Sequence, residues 1–243
     1  MTEALFRNDA YLTKAEAKII GVNDRGGLIV DRTVFYPTGG GQPGDSGHVV
    51  VDGQTLRIVT AVKGNGDEIV LVPETPAEPT PGTPVIQTID WDRRYRHMRV
   101  HTALHLLSVV IPLPVTGGQI SVEKGRLDFD MPTAPEDKQA IEDSLNALVE
   151  QDLDVSETWI RDEELLANPA LVKTMSVKPP MGHGRVRLVR ITKGEREIDL
   201  QPCGGTHVRS TREIGQLRLG KVEKKSRLNR RVNVHLAEIP AAG

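Results

Sequence analysis

Four side chains combine types and spacings that can do chemistry: His101 and His105 in the stretch HTALH, and Cys203 and His207 in CGGTH. On a helix, residues four apart leave the same face one turn apart, so the two rings of HTALH can converge on one ion. Two donors do not complete a site. Zinc in proteins takes four donors in tetrahedral array, or three plus water, and CGGTH supplies a second pair of suitable chemistry. Gly204 and Gly205 are expected to bend the backbone so that Cys203 and His207 face one point. Two other readings stay open, histidines that fill a core or a surface and a cysteine nucleophile; the spacing favours the metal.

Neighbouring residues narrow the chemistry. Thr102, not a glutamate, follows His101, so the helix lacks the base of an HExxH metalloprotease. His97 stands eight residues before His105, about 12 Å along a helix axis, and is expected at the surface or behind the ligands. TGGGQPGDSG, residues 38 to 47, lacks the Gly-Lys-Thr ending of a phosphate-binding loop and reads as a tight turn between strands.

The elements that must position these groups follow from periodicity. DRRYRHMRVHTALHLLSVVI places apolar or histidine side chains at 97, 101, 104, 105 and 108, a helical period that stops before Pro112. A second helix is expected from TAPE, where Thr133 and Glu136 have capping-box spacing and Pro135 suits a first turn. SETWIRD, RVRLVRI, EIDLQ and QLRLGKV read as strands and DEELLA as a short helix, which predicts an α+β domain, a sheet with helices on one face. The first third, with AKIIGV, GLIVDRTVFY, GHVVVDG, QTLRIVTAV and DEIVLV, has the spacing of a small barrel or sandwich. PETPAEPTPGTP, residues 73 to 84, holds five prolines and reads as a linker or boundary. Two domains are expected, 1–88 and 89–243.

Composition excludes several classes. The 243 residues include one cysteine, so an internal disulfide is impossible, and the N-terminus has neither a basic start before an apolar core nor a small-residue cleavage site. A reducing, cytoplasmic setting is expected. No apolar run reaches the roughly 18 residues of a membrane helix. A formal charge of -2 gives no global reason for a polyanion partner, and 3% aromatics argue against binding that stacks many bases.

HTALH with CGGTH resembles the editing domain shared by alanyl-tRNA and threonyl-tRNA synthetases. FYPTGGGQPGD, residues 35 to 45, resembles the glycine-rich motif preceding it on the alanyl side, which argues against the threonyl branch. The free-standing relatives are the AlaX proteins, and the likeness runs through nearly the whole chain. The resemblance implies an N-terminal small β-barrel followed by a two-layer α+β editing domain, the second additional domain, with one zinc ion on His101, His105, Cys203 and His207 as the catalytic centre. It implies a deacylase that hydrolyses the ester between serine, or sometimes glycine, and the acceptor end of tRNA(Ala). The chain has no room for an aminoacylation domain as well, so it would edit in trans. Thr38, Gly39, Gly40, Gly41 and Gln42 would line the amino-acid pocket, and Gln119 of TGGQI would join them. One departure is Leu104, where many alanyl-tRNA synthetases place a threonine before the second histidine. Four protein donors match a closed site, and the ion is expected to expand its shell or release a ligand to bind substrate or water.

A basic run lies within residues 209 to 231, where Lys224, Lys225, Arg230 and Arg231 are expected to meet tRNA phosphates. Arg93, Arg94, Arg96 and Arg99 around the histidine helix are read the same way. The rival reading is a zinc-stabilised tRNA-binding module without catalysis.

Overall fold

The β-branched, alternating segments of the first ninety residues close into a barrel. The structure is a computed structural model, and it describes residues 1–174 and 184–237. A short strand β1 (Glu3–Ala4) pairs in parallel with β4 (Arg32–Thr33). The barrel strands are β2 (Lys14–Val22), β3 (Leu28–Val30), β5 (Gly47–Val51), β6 (Gln54–Lys63), β7 (Ile69–Pro73) and β8 (Pro84–Ile89). Their order around the ring is β2-β3-β7-β6-β5-β8, and β8 closes it by pairing antiparallel with β2 and β5. Closure leaves no open edge. Inward positions are filled by Ile19, Leu28, Val30, Val49, Ile58, Ala61 and Leu71, all essentially inaccessible. The proline run is therefore not a linker: residues 74–83 connect two barrel strands, and the strand that follows them begins at Pro84 itself, where a missing N–H disturbs the ladder least.

The chain divides into two compact units, Met1–His97 and Met98–Gly243. Helix α1 (Trp91–Val110) crosses the division and ends before Pro112 as its periodicity predicts. Every residue from 100 to 108 is buried, so this stretch is surrounded on all sides and its polar side chains need partners. His97 is 1% exposed, so of the two places expected for it the surface is excluded.

The second unit continues as β9 (Val115–Ile120), β10 (Lys124–Asp130), α2 (Lys138–Glu150), β11 (Asp154–Arg161), α3 (Asp162–Ala167), β12 (Arg185–Lys193), β13 (Arg196–Pro202), β14 (Leu217–Lys224) and β15 (Asn229–Leu236). Its strands form two sheets where a single one was expected: β14-β15-β10-β9 and β11-β12-β13. Helix α1 packs on β10 at Gly125, where a Cβ would come within 2.7 Å of Val100 and 3.0 Å of Leu104. Leu104 thus fills the helix–sheet contact.

Helix α2 starts at Lys138, not at the Thr133 box. Asp137 caps it by accepting from the Ala140 N–H at 2.9 Å, and a competent cap three residues upstream of its partner sets the start. Asn146 of this helix serves the edge strand β14 on both sides of Leu217, accepting its N–H at 2.8 Å and donating to its carbonyl at 3.0 Å. Among the described residues no helix is long and apolar enough to cross a membrane.

Candidate metal centre

Strand β13 runs straight into the CGGTH turn, and its period of two puts Asp199 and Gln201 on one side of the strand, with Cys203 next in the same alternation. Helix α1 brings His101 and His105 to the same place. The ligand atoms of His101, His105, Cys203 and His207 all lie within 4.8 Å of one another. Cys203 Sγ is 3.5 Å from His101 Nε2 and 3.3 Å from His207 Nε2. The three rings are buried and the cysteine half-buried.

This donor set fits a zinc ion. Bonds of about 2.0–2.3 Å in a tetrahedron place donors about 3.3–3.8 Å apart, which matches the sulfur–nitrogen separations, and three imidazoles with one sulfur suit that metal. Burial would raise the Cys203 thiol, but chiefly the charge of His101 beside it holds it well below its ordinary value, which favours the thiolate. Burial and the charge of His101 push His207 well down, toward the neutral ring that can ligate.

The support behind the donors was not anticipated from spacing. Asp199 Oδ2 accepts from His105 Nδ1 at 2.9 Å and from Gln201 Nε2 at 2.7 Å, and Oδ1 accepts from Lys173 Nζ at 2.5 Å. Gln201 reaches on to Ser108 Oγ at 3.2 Å, and Ser108 donates to the His105 carbonyl. Burial opposes both charges, yet His105 and Lys173 hold Asp199 below the usual carboxylate range, while Asp199 and Cys203 lift His105 to about 9. A carboxylate on Nδ1 leaves the Nε2 of His105 to face the other donors. The alternation of Asp199, Gln201 and Cys203 in EIDLQPC was the available signal for this row.

Arg187 holds the turn. Its Nη1 donates to the carbonyls of Cys203 at 2.8 Å and Gly205 at 2.9 Å, and Nη2 to Glu157 at 2.7 Å. Neither Gly204 nor Gly205 is among the left-handed glycines, so the bend does not need glycine for its φ at either position, and Arg187 ties its carbonyls together. Replacing Arg187 by methionine strands both carbonyls; the expected result is a loss of about 2 kcal/mol of stability and about tenfold in zinc affinity, read by denaturant unfolding and chelator competition.

The glycine motif lies in the first unit. Gly39 and Gln42 exchange backbone hydrogen bonds at 3.0 Å around Gly40 and Gly41, whose φ values of +58° and +84° suit glycine. Thr38 Oγ1 accepts from the Gly44 N–H at 2.9 Å and donates to the Ala61 carbonyl, and Gln42 is fully buried. Asp45, the last residue of the motif, accepts from the Tyr36 N–H at 2.6 Å and forms a fully buried ion pair with Arg94, whose Nε lies 2.9 Å from Oδ1. Arg94 is thereby withdrawn from the RNA-facing arginines expected on α1. Arg99 likewise spends its guanidinium on the Ile214 carbonyl, at 2.8 and 2.9 Å.

In the second unit Gln119 stands on β9 with Oε1 accepting from Arg126 at 3.0 and 3.2 Å. Lys224 and Lys225 are exposed at the tip of the β14–β15 hairpin. Arg230 is buried and donates to the carbonyls of Ser226 and Pro132, and Arg231 pairs with Asp128 at 2.8 Å.

Residues 186–233 match the family model described as the threonyl and alanyl tRNA synthetase second additional domain, and residues 4–93 match that of class II (A) tRNA synthetases. The chain is 35% identical to the alanyl-tRNA editing protein AlaX-M of Methanosarcina mazei, over 98% of each chain. It is 34% identical to the protein of that name from Saccharolobus solfataricus, over 96% of this chain and 98% of that one. An alanine–tRNA ligase of Pyrobaculum neutrophilum is 34% identical over 92% of this chain, which spans 25% of the ligase.

Proposed function

The chain belongs to the AlaX family of free-standing alanyl-tRNA editing proteins, and from that premise we propose that it is a zinc-dependent deacylase acting in trans on tRNA(Ala) charged with serine, and secondarily with glycine. The observation that carries the reading is the convergence of His101, His105, Cys203 and His207 within 4.8 Å in a chain that matches an AlaX-M protein over 98% of its length.

Ester hydrolysis needs a water nucleophile and relief of the charge growing on the carbonyl oxygen. Zinc bound to the four donors would supply Lewis-acid chemistry suited to both needs. The chain's own residues do the holding: Asp199 fixes His105 and Arg187 fixes the turn. In the glycine motif, Thr38 and Gln42 keep the turn in shape, and recognition of the amino acid falls to the backbone of Gly39, Gly40 and Gly41. Gln119 retains its amide N–H groups as donors. The measurement is release of labelled serine from Ser-tRNA(Ala) by catalytic amounts of the protein, with Ala-tRNA(Ala) alongside. Turnover of serine with alanine spared supports the deacylase. Protection of the ester by a chain that binds the tRNA supports a non-catalytic binding module instead.

The acceptor stem is assigned to the hairpin tip. Arg230 and Arg231 are committed within the fold, so Lys224 and Lys225 carry this contact. Neutralising both lysines is expected to weaken tRNA binding at low salt and to reduce the slope of log affinity against log salt by about 1–2. An unchanged slope removes the tip from the interface.

A further inference from the structure

The residue that follows the first histidine is buried beside the metal centre and has three hydrogen-bond partners. Thr102 is 0% exposed. Its Oγ1 lies 2.9 Å from the Met98 carbonyl, 3.3 Å from the Val208 N–H and 3.3 Å from His207 Nδ1. A hydroxyl has one proton to give and two lone pairs to receive with. The Met98 carbonyl can only accept, so it takes the proton. The Val208 N–H can only donate, so it takes one lone pair. What remains is the second lone pair, and His207 can meet it only with a proton on Nδ1.

From this accounting we infer that Thr102 is the positioning residue that sets the tautomer of His207, placing the proton on Nδ1 and turning the Nε2 lone pair toward Cys203 and the metal. The inference deepens the zinc reading above and rests on it for its consequence, not for its geometry. A threonine in mid-helix often bonds the carbonyl four residues back and does nothing more. Here the same oxygen also receives two successive residues of the cysteine turn, from 105 and 106 positions away in the sequence. Asp199 does for His105 what Thr102 does for His207, one with a carboxylate and the other with a hydroxyl whose direction is fixed by Met98. Both histidines then face inward through Nε2, the atom that lies 3.3 Å from the sulfur in His207.

The test compares zinc affinity by chelator competition in the wild-type chain, Thr102→Val and Thr102→Ser, and reads the His207 tautomer by long-range proton–nitrogen correlation in metal-free and zinc-loaded wild-type protein. Valine keeps the shape and loses the hydroxyl; it is expected to bind zinc about 10–100-fold more weakly. Serine keeps the hydroxyl and is expected to stay within about threefold of wild type, which a merely structural role for the methyl group would not give. His207 is expected with its proton on Nδ1 in both states. An Nδ1 without a proton, or a valine chain with wild-type affinity, overturns the assignment. If the valine chain does not fold, the serine chain and the ring protonation decide alone: serine weakened tenfold or Nδ1 found without a proton overturns it. A wild-type chain that takes up no zinc overturns the metal centre, while the metal-free tautomer still tests Thr102.

Discussion

Replacing Asp45 by alanine is expected to remove about 3–5 kcal/mol of stability and to lower the melting temperature by about 10 °C. The Arg94 guanidinium is fully inaccessible and its partner carboxylate is 1% exposed. Arg94 Nε donates to both oxygens of Asp45, at 2.9 and 3.0 Å, and its other nitrogens reach the carbonyls of Ala10 at 2.9 Å and Val34 at 2.6 Å. Those two carbonyls remain after the substitution, but neither carries a full charge, so a buried cation is left without compensation. The Tyr36 N–H loses its acceptor in the same step. Substituting both charges, Arg94→Met with Asp45→Leu, is expected to recover part of the loss, since an apolar pair of similar volume costs no desolvation of ions. Thermal unfolding of the full chain reads both effects. A single Asp45→Ala variant within 1 kcal/mol of wild type would show that solvent reaches the guanidinium.

That ion pair also marks where reading the sequence ran out. Local periodicity was enough for α1, for α3 at DEELLA and for most strands, because each is decided by residues a few positions apart. The four donors were legible for the same reason: each pair sits four residues apart, on a helix and on a turn. What could not be read is which side chains, far off in the sequence, support these groups and their neighbours. Arg94 meets Asp45 over 49 positions, His105 meets Asp199 over 94, and Thr102 meets His207 over 105. No spacing rule spans such distances, so an arginine near the histidines looked like a phosphate contact and a threonine between them looked like a missing glutamate. The barrel's closing strand was hidden differently. Its first residue is a proline at the end of a proline-rich run, and composition there outweighed the alternation of Val85, Gln87 and Ile89, which point into the barrel.

Cys203→Ala is expected to lower serine release from Ser-tRNA(Ala) by at least about 10³-fold, because on the proposed reading the Lewis-acid stabilisation of several kcal/mol that zinc would supply would be lost with the ion, and each 1.4 kcal/mol is tenfold. Wild-type protein stripped by a chelator is expected to fall to the same floor and to recover with added zinc; the variant recovers nothing. His105→Ala and His207→Ala should reach that floor as well, and the Cys203→Ala/His207→Ala double variant should go no lower, since residues that act as one unit give grossly non-additive losses. A cysteine nucleophile would behave otherwise. It would form an acyl-enzyme, be inactivated by alkylation with zinc in place, and leave the histidine variants with losses unrelated to zinc content. Near-wild-type turnover in a Cys203→Ala chain that has lost its zinc would make the ion dispensable for chemistry. The sulfur, 3.3 Å from one imidazole and 3.5 Å from another, would then serve the packing of the turn alone.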